Sequence, residues 1–164
     1  MCARQFLKKS QKLAHMKETI TVGITYDTKN DFKLDEEKPW DWDAEFEVSV
    51  AVDDITRALE DLGHQTIHIG SGEKLLENFR EIESQVDIVF NIAEGMFGRA
   101  RESQIPSLLE MARMPFVGSD AYTLAIALNK WHTKVIAHHY GINTPAFSCI
   151  ERYEQLDNVH FLSF

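Results

Sequence analysis

Residues 19–25 read T-I-T-V-G-I-T and residues 86–91 read V-D-I-V-F-N, two short runs dense in β-branched residues. Continuous apolar runs of this kind mark strands buried on both faces, as in parallel sheets, where an antiparallel surface strand would alternate. Thr19–Thr25 is therefore read as the central strand.

The pattern between and beyond these runs alternates strand and helix. Val48, Val52, Ile55, Leu59 and Leu62 fall at helical spacing, with Gly63 as the stop. Thr66–Ile69 reads as a strand and Gly72–Ile82 as one helix carrying Leu75, Leu76 and Phe79. Glu102–Arg113 reads as a helix with Pro106 in its first turn, where a missing N–H costs nothing. Pro115–Gly118 is a short strand, Ser119 or Asp120 caps a helix starting at Ala121, and Asn129–Tyr140 is a further helix closed by Gly141 and Pro145. Ala146–Ile150 completes the series as a last short strand or edge. The expected architecture is α/β: a three-layer, Rossmann-like sandwich on a mostly parallel sheet of four to five strands. Right-handed crossovers then place loops and ligands at the carboxyl ends of the strands.

With 164 residues the chain has room for one domain with a sizeable core, and 44% hydrophobic with 26% charged residues is a soluble, globular composition. No apolar run approaches the roughly 18 residues of a membrane span. The net charge of -9 opposes nucleic acid, whose affinity is built on Lys and Arg neutralising phosphates. Cys2 and Cys149 lie at opposite ends with no ligand spacing, which reads as two free thiols of a cytoplasmic protein. Residues 1–18 are basic but lack a secretory signal's apolar centre, and are expected to form a tail or an added helix ahead of a domain over 19–164.

Dinucleotide binding would need G-x-G-x-x-G after the first strand, and the turn reads Thr25-Tyr26-Asp27-Thr28 instead. No phosphate-binding P-loop, nucleophile elbow or zinc-binding helix motif is present, and the histidines form no catalytic pattern. The strand leads into an acidic stretch, Asp27–Glu47, which Trp40 and Trp42 would pin down.

Ala44–Ser49 (AEFEVS) at the entry to the first helix resembles the A-E-x-E-V-S signature of the D-alanine:D-alanine ligases. Leu108–Ser119 (LLEMARMPFVGS), Ala125–Lys134 (AIALNKWHTK) and Gly141–Pro145 (GINTP) resemble that family's later blocks, in the same order. The resemblance implies the family's pre-ATP-grasp domain. It implies that Glu45 holds and orients a first D-alanine, with Ser49 beside it, and that Lys130 contacts ATP phosphates. On local grounds alone Glu45 and Glu47 serve equally as carboxylates capping a helix N-terminus, and Lys134 as a second basic contact or a surface residue.

Two places depart from the family pattern. Where its members carry His-Gly beneath the first substrate, this chain has Glu94-Gly95, and the following acidic turn becomes Arg99-Ala100-Arg101-Glu102. Arg99 and Arg101 have the fork geometry to clamp a carboxylate or phosphate, and read otherwise as surface arginines. Asn129 replaces the Asp ahead of Lys130 and keeps a capping side chain.

The resemblance further implies ATP and Mg2+ for a complete ligase, acyl-phosphate chemistry and a place in peptidoglycan synthesis. Both cofactors would be held by an ATP-grasp domain whose opening pattern is not found after His160–Phe164; no cofactor or metal site of its own is expected in this chain. The chain is thus expected to be a substrate-side domain, inactive alone, taking an amino-acid-like small molecule, with the missing ATP-grasp domain or a second copy in a homodimer as partner. The alternative is a free-standing, non-catalytic binding or interaction module of the same fold.

Overall fold

The computed structural model of the chain describes residues 19–28, 31, 49–150, 152, 154 and 155. The expectations for the N-terminal segment, Trp40, Trp42 and Glu45 lie outside these residues. Two units are distinguished, residues 1–125 and 126–164.

In the first unit, strands β1 (Thr21–Thr25), β2 (Gln65–Gly70), β3 (Ile88–Asn91) and β4 (Phe116–Val117) form one sheet in the order β2-β1-β3-β4. Every pairing is parallel. The first run is thus an inner strand, and its Val22, Gly23, Ile24 and Thr25 are all buried, so both faces of the sheet are covered. Such burial suits the unalternating TVGIT sequence.

One face is packed by three helices: α2 (Gly72–Glu77), α3 (Phe79–Gln85) and α4 (Gln104–Ala112). Their Leu75, Ile82, Ile105 and Leu109 close on Ile69 and Val89 of the sheet. Gly23 points to this face, and a Cβ there would stand 2.5 Å from Ile69 Cδ1; the glycine is what lets Ile69 pack across the inner strand. The other face meets α1 (Ser49–Asp61), whose Thr56 hydroxyl lies 3.2 Å from His68 Nε2 of β2, with Val52 buried on the same helix. Helix, sheet and helix thus form the three layers of an α/β sandwich.

Helix α1 ends as the sequence indicates. Gly63 adopts φ +86°, and the amides of Gly63 and His64 donate to Glu60 O and Leu59 O at 2.9 and 3.0 Å, the paired bonds of a Schellman cap. The single helix expected over Gly72–Ile82 is instead two. At Asn78 the backbone leaves helical geometry (φ -107°, ψ 19°), and its amide and side chain both donate to Lys74 O, at 3.1 and 3.0 Å. This local competition by an Asn side chain ends α2 after one and a half turns. Within α2, Leu75 faces the core, fully buried, while Leu76 one residue on faces outward, 65% exposed.

Helix α5 (Ala121–Ala127) begins behind Asp120, which accepts the Thr123 amide at 2.7 Å, so Asp120 is the cap. In the second unit, α6 (Lys130–His139) starts behind Asn129, whose Oδ1 accepts from His132 N at 3.1 Å, and ends at Gly141. The strand expected over Ala146–Ile150 does not form: the segment pairs with no other strand. Phe147 packs edge-on against Trp131, with centroids 5.3 Å apart, and beneath the Lys134 ammonium at 5.2 Å; its side chain is thus engaged with α6.

Candidate functional site

The carboxyl ends of β1, β2 and β3 open into three connections: Tyr26–Thr28 with Asp31, Ser71 ahead of α2, and the turn of residues 92–101. A buried aspartate organises this rim. Asp27 is 2% exposed, and its Oδ2 accepts the amides of Glu94 at 2.8 Å and Gly95 at 2.7 Å. Gly95 sits at φ +68°, and a Cβ there would lie 3.0 Å from Arg101 O; only glycine fits both that conformation and that space. Arg101 braces the turn from the other side, its Nε donating to Gly95 O at 3.1 Å.

Burial is the largest influence on the Asp27 carboxyl and raises its pKa above 3.8, with the nearby Asp31 charge adding to it. The two amide hydrogen bonds and the Arg101 charge work in the opposite direction and do not cancel the shift. Asp31 behaves differently. Burial works against its ionisation too, but hydrogen bonds from Lys74 Nζ (2.6 Å), Thr28 Oγ1 (2.7 Å) and Thr28 N (2.7 Å) lower its pKa on balance. The Lys74 pKa rises in concert, chiefly through the same bond. Lys74 and Asp31 thus tie the beginning of the acidic stretch to α2.

Across the sheet, Thr25 Oγ1 donates to Asn91 Oδ1 at 2.7 Å, joining the ends of β1 and β3. Tyr26 belongs to a second chain of bonds. Thr56 gives its hydroxyl proton to Val52 O at 2.7 Å, so toward His68 Nε2 it is the acceptor. That leaves His68 Nδ1 to accept the Tyr26 hydroxyl at 3.4 Å.

Between α2 and the 93–101 turn lies a cleft of about 330 Å³ lined by Asp27, Ser71, Leu76, Phe97, Arg101 and Leu108, among others. A larger but shallow depression of about 590 Å³ lies among polar residues at the opposite ends of the strands, around Glu60, His64 and Gln85. Ligands of open parallel sheets bind outside the carboxyl ends, so the smaller cleft is the relevant one.

The residues expected to form a site distribute as follows. Glu94 and Gly95 are at the rim, contributing amides that hold Asp27. Arg101 is there too, half-buried as a brace, whereas Arg99 is exposed on the same turn. Ser49 is the first residue of α1. Lys130 opens α6 in the second unit, exposed, with Nζ donating to Ala127 O at 3.2 Å. An exposed ammonium at a helix start is chemically suited to a phosphate. Among the described residues no three His, Cys, Asp or Glu side chains gather as metal ligands, so none is assigned to Mg2+. Lys134 donates to Pro145 O at 3.3 Å and covers Phe147, a structural task. Asp27, Ser71 and Asn91 are the rim residues that sequence reasoning missed.

Fold and cleft together define a parallel α/β domain that opens a ligand-sized cleft at the carboxyl rim of its sheet. A D-alanine–D-alanine ligase of Syntrophotalea carbinolica is 30% identical over 114 residues, which is 69% of this chain and 36% of the ligase. One of Pelotomaculum thermopropionicum is 31% identical over 114 residues, 69% of this chain and 35% of that ligase. An uncharacterized protein of Sinorhizobium fredii is 32% identical over 117 residues, 66% of this chain and 34% of its own length. A crystal structure of the Bacillus anthracis D-alanine–D-alanine ligase complexed with ATP shares the fold, with TM-score 0.57 and 19% identity over 87% of this chain and 45% of that one. No protein-family model matches the chain. The chain is a relative of the D-alanine–D-alanine ligases, and the match fits a partial, N-terminal domain of such an enzyme. It spans about one third of the length of the curated relatives it matches.

Proposed function

We propose that the chain is the substrate-side domain of an ATP-dependent carboxylate–amine ligase, presenting an amino-acid-like substrate at the carboxyl rim of its sheet. The observation that carries this reading is the 30% identity to D-alanine–D-alanine ligases over 114 residues, which sets the Asp27-anchored turn and the rim cleft inside a fold shared with such a ligase. In this reading Glu45 and Ser49 engage the substrate from the entry to α1. Glu94, Gly95, Arg99 and Arg101 shape the turn that faces it.

ATP, when bound, supplies the activation of a carboxyl group, and Lys130 offers the phosphates a positive charge. The remaining ATP and Mg2+ contacts come from an ATP-grasp domain, in the same polypeptide or in trans. The work of such a domain is acid–amino-acid ligation of the kind used in peptidoglycan synthesis, in the cytoplasm.

Calorimetric titration of this chain with a panel of amino acids and with ATP tests the reading. Saturable heat with at least one amino acid, abolished in Glu45→Ala, is expected, together with ATP binding weakened by Lys130→Ala. Absence of heat with every amino acid would overturn it.

A further inference from the structure

The rim cleft is amphipathic in a way the ligase reading does not itself require. Its walls are apolar: Leu76 from α2, Phe97 from the turn and Leu108 from α4, with Leu76 65% and Phe97 59% exposed at the sides. Its lining is also polar at two buried points. Asp27 commits Oδ2 to the turn amides, and among the described residues its Oδ1 accepts no hydrogen bond. Ser71 is 4% exposed, and its hydroxyl has no hydrogen-bond partner among the described residues.

A carboxylate oxygen that no protein donor occupies offers an acceptor to a donor group entering the cleft. Arg101 and Lys74 both contribute positive charge nearby, with Arg101 Nε donating to Gly95 O and Lys74 Nζ to Asp31 Oδ1, and neither donates to Asp27 Oδ1. Among the described residues no third acidic, His or Cys side chain joins Asp27 to complete a metal site. An ammonium group has three donors and no acceptor, which suits one carboxylate oxygen and one hydroxyl. A group without a proton to give, a carboxylate or a quaternary amine, has nothing to donate to Asp27 Oδ1. The apolar walls would then face whatever the ammonium-bearing carbon carries. At about 330 Å³ the cleft is near the lower end of small-molecule sites.

We infer that this cleft binds a primary amino acid with an aliphatic or aromatic side chain larger than methyl, its ammonium on Asp27 Oδ1 and Ser71 Oγ and its side chain between Leu76, Phe97 and Leu108. This rests on the reading of the rim as an amino-acid site and gives that site its substrate class.

The test titrates the chain with alanine, leucine and phenylalanine in both configurations, and with 4-methylpentanoate, which is leucine without its amino group. Leucine or phenylalanine is expected to bind at least about tenfold tighter than alanine, the discrimination a few methylenes give in an apolar pocket. The deaminated acid should show no saturable binding. Leu76→Ser, at an exposed position that leaves the core alone, should weaken leucine about fivefold and leave alanine unchanged. Ser71→Ala should weaken every amine alike. Alanine binding as tightly as leucine, or 4-methylpentanoate as tightly as leucine, would overturn the inference while the ligase reading stands. No binding by any amine, alanine included, would overturn both.

Discussion

Asp27 and Gly95, 68 residues apart in the chain, are joined by a 2.7 Å hydrogen bond from the glycine amide to the buried carboxylate. The same oxygen takes the Glu94 amide, so one side chain at the end of β1 fixes the turn that follows β3. Replacing Asp27 by Ala strands two amides, at about 1–3 kcal/mol for each buried donor left unmade. Asp27→Ala should therefore lose about 2–6 kcal/mol, and Asp27→Asn, which keeps an acceptor, clearly less. Urea unfolding monitored by tryptophan fluorescence measures the difference. Equal stability of Ala and Asn variants would show that the amides find water instead.

The same carboxylate sets a pH dependence. Asp27 titrates above 3.8 in the folded chain and near 3.8 once unfolded. Between those two values the folded state holds a proton that the unfolded state has released, so stability falls as pH rises through this window. Asp31 has the opposite sign: its folded pKa lies below 3.8, so it stabilises at neutral pH and that contribution is lost as pH falls through the folded pKa. In Asp27→Asn the downward step above pH 3.8 should vanish while the Asp31 loss in acid remains. Urea midpoints from pH 3 to 7 for both chains read this directly.

Gly95→Ala tests the turn from its other side. The substitution places a Cβ 3.0 Å from a backbone oxygen of Arg101 and in a left-handed conformation at φ +68°. Backbone cannot yield as a flexible side chain would, so about 2–3 kcal/mol of stability should go, in line with strained backbone and overpacking costs. Amino-acid affinity at the rim should fall with it. Thermal unfolding and the leucine titration together report both effects.

What the sequence displayed and what it hid follow from the range of the interactions involved. The inner strand was readable because TVGIT is apolar without alternation, and Gly63 and Gly141 ended their helices as glycines do. Asn129 was readable as a cap because capping is local. Asp27 was not: it begins an acidic stretch and reads as a solvated charge, while the amides that hold it lie 67 and 68 residues downstream. The break at Asn78 was hidden by Leu75, Leu76 and Phe79, whose spacing fits one helix as well as two. The Ala146–Ile150 strand failed because apolar content says nothing of which neighbour receives it; Phe147 found Trp131.

Arg113 supplies the last prediction. It follows α4 at φ +59°, with its own amide donating to Glu110 O and that of Met114 to Leu109 O, at 3.0 and 2.9 Å. These are the paired bonds of a Schellman cap, and the position is one that glycine fills at Gly63. An L-residue held in the left-handed region costs about 1–2 kcal/mol, from the approach of Cβ to the following carbonyl. Arg113 is exposed, so its surface contacts offset little of that. Arg113→Gly should raise stability by about 1 kcal/mol, whereas Arg113→Val, branched at Cβ, should lower it. Chemical unfolding of the three chains decides the matter: a stable Val variant would mean that α4 ends without the left-handed residue, and the Schellman assignment would fall with it.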